Sequence, residues 1–173
     1  IEAPALDVQT LSNYLRAYLL LHHWIVKESD IDFTRRIAPF IDEFPEDYMR
    51  LILDSSYNPS RDELITDYHE HNPTRNRPLD MLPIFTHVNR QLIGDFSDEL
   101  VKPRPTFHYR LPNCLIDDPN WTVAREWDYW VAVEKLANEP DKIAQMSKQY
   151  FEITNSFSFS VKDKWYNEVI KWM

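Results

Sequence analysis

The sequence predicts a mainly α fold with a minor β component, an α+β arrangement, on three observations. Apolar residues recur at three- and four-residue spacing along most of the 173 residues, the period that gives a helix one apolar face. Prolines and capping residues cut that pattern into helix-length pieces. One stretch, around residues 105–112, instead has the β-branched and aromatic bias of a strand, so one or a few antiparallel strands are expected there.

The elements follow in order. From Leu6 to Lys27, residues Leu11, Tyr14, Leu15, Tyr18, Leu19, His22 and Ile25 share one helical face, with Asp7 as N-cap. A short helix is expected over 34–41. Pro45 suits a first helical position and leads into Tyr48, Met49, Leu51, Ile52 and Leu53. Ser60 with Glu63 forms a capping-box pattern for a helix to about His71, stopped by Asn72-Pro73. Pro78 opens another helical pattern through Leu79, Leu82, Phe85, Val88 and Leu92, with Pro83 expected to kink or split it and Gly94 to end it. A linker, Lys102-Pro103-Arg104-Pro105, leads into the strand Thr106 to Leu111, closed by Pro112. Trp121 to Ala137 reads as a long helix with Asn120 or Thr122 near its cap. Pro140 interrupts, a helix carries Ile143, Met146, Tyr150 and Ile153, a Ser/Phe loop covers 155–160, and a last helix runs from Lys162 to Trp172. A lone strand cannot satisfy its own backbone donors and acceptors, so its partners must be weak strands elsewhere or a segment outside this chain.

Composition bounds the function. Apolar residues are 43% and charged residues 27%, a globular balance, and residues 1–173 read as a single mostly helical domain or the C-terminal half of a larger catalytic domain. No run approaches the ~20 apolar residues of a membrane helix. The net charge of -9 argues against nucleic acid and anionic membrane partners. One glycine, Gly94, excludes a Gly-rich phosphate loop. The single Cys114 forms no internal disulfide, fits a cytoplasmic setting, and is expected to be a small buried hydrophobe. Ile1 starts the chain without an initiating Met or signal-peptide regions, which suggests a portion of a longer protein.

Two polar clusters could carry chemistry. In the loop Asn72-Pro73-Thr74-Arg75-Asn76-Arg77, followed by Asp80, two guanidiniums and two amides could grip a phosphate or carboxylate with planar hydrogen bonds. The plainer alternative is a solvated turn whose arginines pair with acidic neighbours. In the strand, alternation places Thr106, His108 and Arg110 on one face and Phe107, Tyr109 and Leu111 on the other. If the apolar face packs on helices, His108 and Arg110 project together, Arg110 to neutralise developing phosphoryl charge and His108 to transfer protons. Other candidates are plainer. His69 and His71 point to different sides of a helix and are poorly placed to share a metal, and no metal site is assigned. One of His22 and His23 is expected at the core edge as a satisfied polar group. Asp117 and Asp118 suit a turn before Pro119. The Trp121, Trp127 and Trp130 helix suits core packing or an interface.

The runs His71-Asn72-Pro73-Thr74-Arg75-Asn76-Arg77-Pro78-Leu79-Asp80-Met81-Leu82-Pro83 and Arg104-Pro105-Thr106-Phe107-His108-Tyr109-Arg110-Leu111-Pro112-Asn113-Cys114, with the Trp121 helix, resemble the C-terminal part of the amidoligase family. That family is similar to glutamate-cysteine ligases and, more remotely, glutamine synthetase. The resemblance spans roughly Leu11 to Tyr150. It implies the helical C-terminal portion of a glutamine-synthetase-like ligase fold, and an ATP- and magnesium-dependent ligase that activates a carboxylate as an acyl phosphate for attack by an amine. Arg110 would be carried over as an anion ligand. His108 stands where a glutamate is common, which places a metal-ligand role there in doubt. Arg75 and Arg77, with Asn72 and Asn76, would form a phosphate- or carboxylate-binding loop, with Asp80 orienting an arginine. The family's acidic metal-binding strands would precede this region, and no Glu-x-Glu pattern occurs in the chain. This portion alone would be catalytically incomplete, completed by an N-terminal segment or a partner chain. Two rival functions are a non-enzymatic helical interaction module that docks a protein, and an anion sensor built on the Asn72 to Arg77 loop.

Overall fold

The computed structural model describes residues 1–29, 42–94, 101–155 and 160–173. The helix expected over 34–41 and residues 156–159 of the Ser/Phe loop lie outside them. Among the described residues the fold is mainly helical with one small antiparallel sheet.

Helix α1 (Val8–Glu28) is the central element, packed against helices drawn from both halves of the chain. Asp7 caps it by accepting from Thr10 N at 2.9 Å, as its spacing suggested. Leu11, Leu15, Ala17 and Leu20 are completely buried, so its apolar face is wider than one stripe and meets neighbours on several sides. Helix α2 (Glu46–Leu53) follows Pro45, which sits at the capping position, one residue earlier than expected. Helix α3 (Arg61–His71) starts on the full capping box, with Ser60 N donating to Glu63 Oε2 at 2.7 Å and Glu63 N to Ser60 Oγ at 3.3 Å.

The helix expected to open at Pro78 is corrected. Leu79–Asp80 is a strand, β1, and helix α4 (Leu82–Asn89) begins only after it. Pro83 falls in the first turn of α4, where no intrahelical partner exists for its missing N–H, so it starts the helix instead of kinking it. A 3-10 turn (Arg90–Leu92) ends the segment, and Gly94 follows with φ +63°, a left-handed conformation that glycine adopts without a Cβ penalty.

The strand expected over 106–111 is regular only at His108–Tyr109, β2. It pairs antiparallel with β1, with Leu79 opposite Tyr109 and Asp80 opposite His108. On its other edge runs the start of the chain: Phe107 N donates to Ile1 O at 2.7 Å and Ala3 N to Pro105 O at 3.0 Å. The strand therefore finds both partners within this chain. Its alternation holds, because Phe107 is buried and stacks on Tyr14 of α1 at 4.9 Å between centroids. Trp130 lies 5.6 Å from Phe107 and 5.2 Å from Tyr109.

Helices α5 (Val123–Ala137, capped by Thr122), α6 (Pro140–Thr154, with Pro140 in its first turn) and α7 (Val161–Trp172) complete the packing around α1. Trp165 of α7 is fully buried and donates its indole N–H to Leu20 O at 2.9 Å. Among the described residues, no helix is long and apolar enough to cross a membrane. Cys114, expected to be buried, is exposed in the loop after β2, and Asn113 beside it is buried instead, its backbone N–H held by Glu126 Oε2 at 3.0 Å. A buried amide with a fixed partner anchors this loop, which leaves the thiol outside.

Candidate functional site

The β1–β2 pairing brings the two polar clusters together. Strand β2 is fixed from behind by Phe107 and Tyr109 against Tyr14 and Trp130, so period-two alternation turns His108 and Arg110 to the opposite side. Strand β1 is fixed by Tyr68 of α3, whose hydroxyl donates to Leu79 O at 3.2 Å and accepts from Met81 N at 3.1 Å. Burial, and next the neighbouring Asp80 charge, push the Tyr68 phenol well above its ordinary pKa, so it stays a donor. The helical spacing alone gives Tyr68 no role at the site. The signal that could have found its role is that a buried tyrosine hydroxyl requires a partner.

Asp80 is the hub. It is wholly buried, and each carboxylate oxygen is occupied: Oδ1 accepts from Leu82 N at 3.0 Å, while Oδ2 accepts from Arg75 Nε at 3.0 Å. Oδ2 also lies 3.1 Å from His108 Nδ1, and Arg75 Nη2 lies 3.2 Å from the same nitrogen. One ring nitrogen cannot serve a donor and an acceptor at once. Setting a lone pair against the buried carboxylate would leave that charge less compensated, so the arrangement favours Nδ1–H donating to Asp80, which in the neutral ring puts the lone pair on Nε2. The side chains of Arg75 and His108 remain 25% and 31% exposed, so solvent and ligands reach them.

Arg110 joins through Nη2, which donates to Arg75 O at 2.7 Å, while its own backbone N–H donates to Pro78 O at 2.9 Å. Its Nε is buried and has no hydrogen-bond partner among the described residues. Three expected site residues are placed differently. Arg77 is 8% exposed and gives Nε to Asn72 Oδ1 at 2.8 Å and Nη1 to Glu43 O. Burial lowers its pKa from the ordinary guanidinium value. Asn72 is fully buried, returning Nδ2 to Tyr68 O at 3.0 Å to close α3. Asn76 contributes backbone, donating N–H to Thr74 Oγ1 at 3.1 Å and accepting from Asp42 N at 2.7 Å. Arg77, Asn72 and Asn76 thus brace the loop, whereas Arg75, Asp80, His108 and Arg110 form one cluster.

The remaining candidates lie elsewhere. His71 Nδ1 is 2.9 Å from Asp67 O, the bond of a helix-end residue. His22 is buried beside Tyr18, with Nδ1 3.4 Å from the phenol oxygen, and His23 is half-buried. Asp118 Oδ1 accepts from Asn120 N at 2.8 Å, shaping a turn. Trp130 is fully buried, while Trp127 is 44% exposed.

A positioned arginine pair beside a carboxylate-anchored imidazole can bind an anion and move a proton. Neither a curated protein nor a solved structure matches the chain. A family model described as "putative amidoligase enzyme" matches residues 1–132, most of the chain and all of the Arg75–Asp80–His108–Arg110 cluster. The chain belongs to the amidoligase family.

Proposed function

We propose that this chain is the substrate-binding portion of a ligase that joins a small-molecule carboxylate to an amine at the expense of ATP, in the cytoplasm. The observation that carries the proposal is the pairing of Asp80 with His108 across the ladder, which lets one buried carboxylate hold both Arg75 Nε and His108 Nδ1. On the acyl-phosphate route, charge builds on phosphoryl oxygens in the transition state. An arginine already held by a buried carboxylate needs no reorganisation to meet that charge. Arg75 offers its remaining N–H groups, and Arg110 adds a second cation whose unpartnered Nε marks a donor that a ligand oxygen would satisfy.

His108, anchored through Nδ1, has its Nε2 lone pair available to take the proton that an incoming ammonium must lose before it attacks. Magnesium does not fit the described residues. Among them no group of three or more His, Cys, Asp or Glu side chains could hold a metal ion, and Asp80 has both oxygens committed to N–H donors. The contribution of this chain is cationic, and magnesium would enter with the nucleotide.

The test uses the complete encoded protein with magnesium-ATP, an amino-acid carboxylate and an amine, following ADP by coupled assay and the amide by mass spectrometry. ADP release that needs both co-substrates, cut at least about a hundredfold by Arg110→Ala or Arg75→Lys in folded protein, is the expected result. Equal turnover in both variants refutes the site.

A further inference from the structure

Between α1, α2 and α6 lies a cavity of about 660 Å³ that shares no residue with the Arg75 cluster. Its volume is in the range of small-molecule sites. Leu53, Ile143 and Phe151 give it apolar walls, and Arg16 and Lys148 give it two cations. Neither cation has a carboxylate partner among the described residues, in a chain whose net charge is -9. Two acids, Asp54 and Glu152, also line the space. Asp54 is already bound to Ser56, accepting from its N at 2.7 Å and its Oγ at 2.6 Å.

Arg16 is held in a fixed pose. Its Nε donates to Ile52 O at 2.7 Å and its Nη2 to Tyr57 O at 2.6 Å, so the side-on edge of the guanidinium is occupied by two backbone carbonyls. Those bonds leave the end-on edge, Nη1 with the second hydrogen of Nη2, unbonded among the described residues. Two parallel N–H vectors match the two oxygens of a carboxylate. Burial lowers the pKa of Arg16 from the ordinary guanidinium value, and a bound anion would offset that desolvation.

We propose that this cavity binds a small organic carboxylate with an apolar body, the carboxylate on the end-on edge of Arg16 and the body against Leu53 and Phe151. One free edge suits a planar carboxylate better than a tetrahedral phosphate, which is commonly held by donors from several directions. The site is separate from the proposed ligase cluster and does not depend on it.

The probe is 3-phenylpropanoate, compared with its neutral isostere 3-phenylpropanamide by isothermal titration calorimetry on the 173-residue chain. The acid is expected to bind at least tenfold more tightly than the amide. Ala144→Trp, at an exposed position in the lining, should obstruct part of the space and weaken the acid at least tenfold. Lys148→Glu should weaken it severalfold without touching the core. Arg75→Lys should leave it unchanged. Equal binding of acid and amide overturns the proposal, as does acid binding unaffected by both Ala144→Trp and Lys148→Glu. Loss of binding in Arg75→Lys assigns the acid to the other cluster, and inorganic phosphate displacing the acid at equal concentration assigns the site to phosphate. Either result also overturns it.

Discussion

Asp80 stands directly across the antiparallel ladder from His108, with its Oδ2 3.1 Å from the imidazole Nδ1. The same carboxylate holds Arg75 and the first free N–H of α4, so one buried group ties a loop, a strand and a helix start together. Asp80→Asn keeps an acceptor for Leu82 N but turns an amide NH2 toward donors. Charged hydrogen bonds of this kind contribute about 1.5–3 kcal/mol each, and the variant should lose about that much in urea unfolding. A loss below about 0.5 kcal/mol would mean that the three bonds are not formed together.

The aromatic contact behind β2 sets which way His108 faces. Phe107 is 1% exposed, stacked on Tyr14 and close to Trp130. Phe107→Ala should cost about 3–5 kcal/mol through lost burial and the cavity left behind, whereas Phe107→Leu should cost less than about 2 kcal/mol. The His108 ring resonances should shift in the Leu variant although the ring itself is untouched. Unmoved resonances would show that the strand holds its face without the stack.

Acid should weaken the fold through His22. Burial, and next the charge of neighbouring His23, lower its pKa from 6.5 to about 4, while Glu43 opposes and Lys162 adds to the effect. In the unfolded chain the ring protonates near 6.5, and in the folded chain only near 4. Between those values the unfolded state binds more protons, so stability falls as pH drops from about 6.5 and stops falling on this account below about 4. The gap corresponds to roughly 3 kcal/mol. His22→Gln should flatten the slope of urea midpoint against pH over that window. An unchanged slope would place the acid sensitivity in another group.

Helices were legible wherever a cap and an apolar stripe coincided: Asp7 for α1, the Ser60–Glu63 box for α3, Thr122 for α5. What failed was Leu79–Asp80, because two residues are too few to show a period of two and Leu79 also fits the helical spacing of Leu82 and Phe85. Its strand pairing is a tertiary effect, imposed by the Tyr68 hydroxyl and by β2. The candidate site was legible as two basic clusters, and the family resemblance implied that Asp80 orients an arginine without saying which; the structure gives Arg75. The division of labour between Arg75 and Arg77 was not, since two arginines two residues apart in a loop look alike until burial separates them. Cys114 was misplaced because residue type carries an average burial, and here Asn113 takes the inner position.

That division yields the last prediction. Arg77 supplies Asn72 and the backbone carbonyl of Glu43 with donors in a buried setting, so Arg77→Ala leaves several acceptors unsatisfied. It should lower unfolding stability by about 2–3 kcal/mol. Arg110 makes one side-chain bond, to the carbonyl of Arg75, and keeps an unpartnered buried Nε. Removing it loses one favourable bond and one unfavourable burial, so Arg110→Ala should change stability by less than about 1 kcal/mol. The ligand response should run the other way. Magnesium-ATP should raise the melting temperature of folded Arg77→Ala protein by as much as it raises the parent's, and should raise that of Arg110→Ala by much less. If instead Arg110→Ala keeps the full ATP-induced rise and Arg77→Ala loses it at a temperature where it is folded, the anion rests on the buried arginine and the site must be moved there.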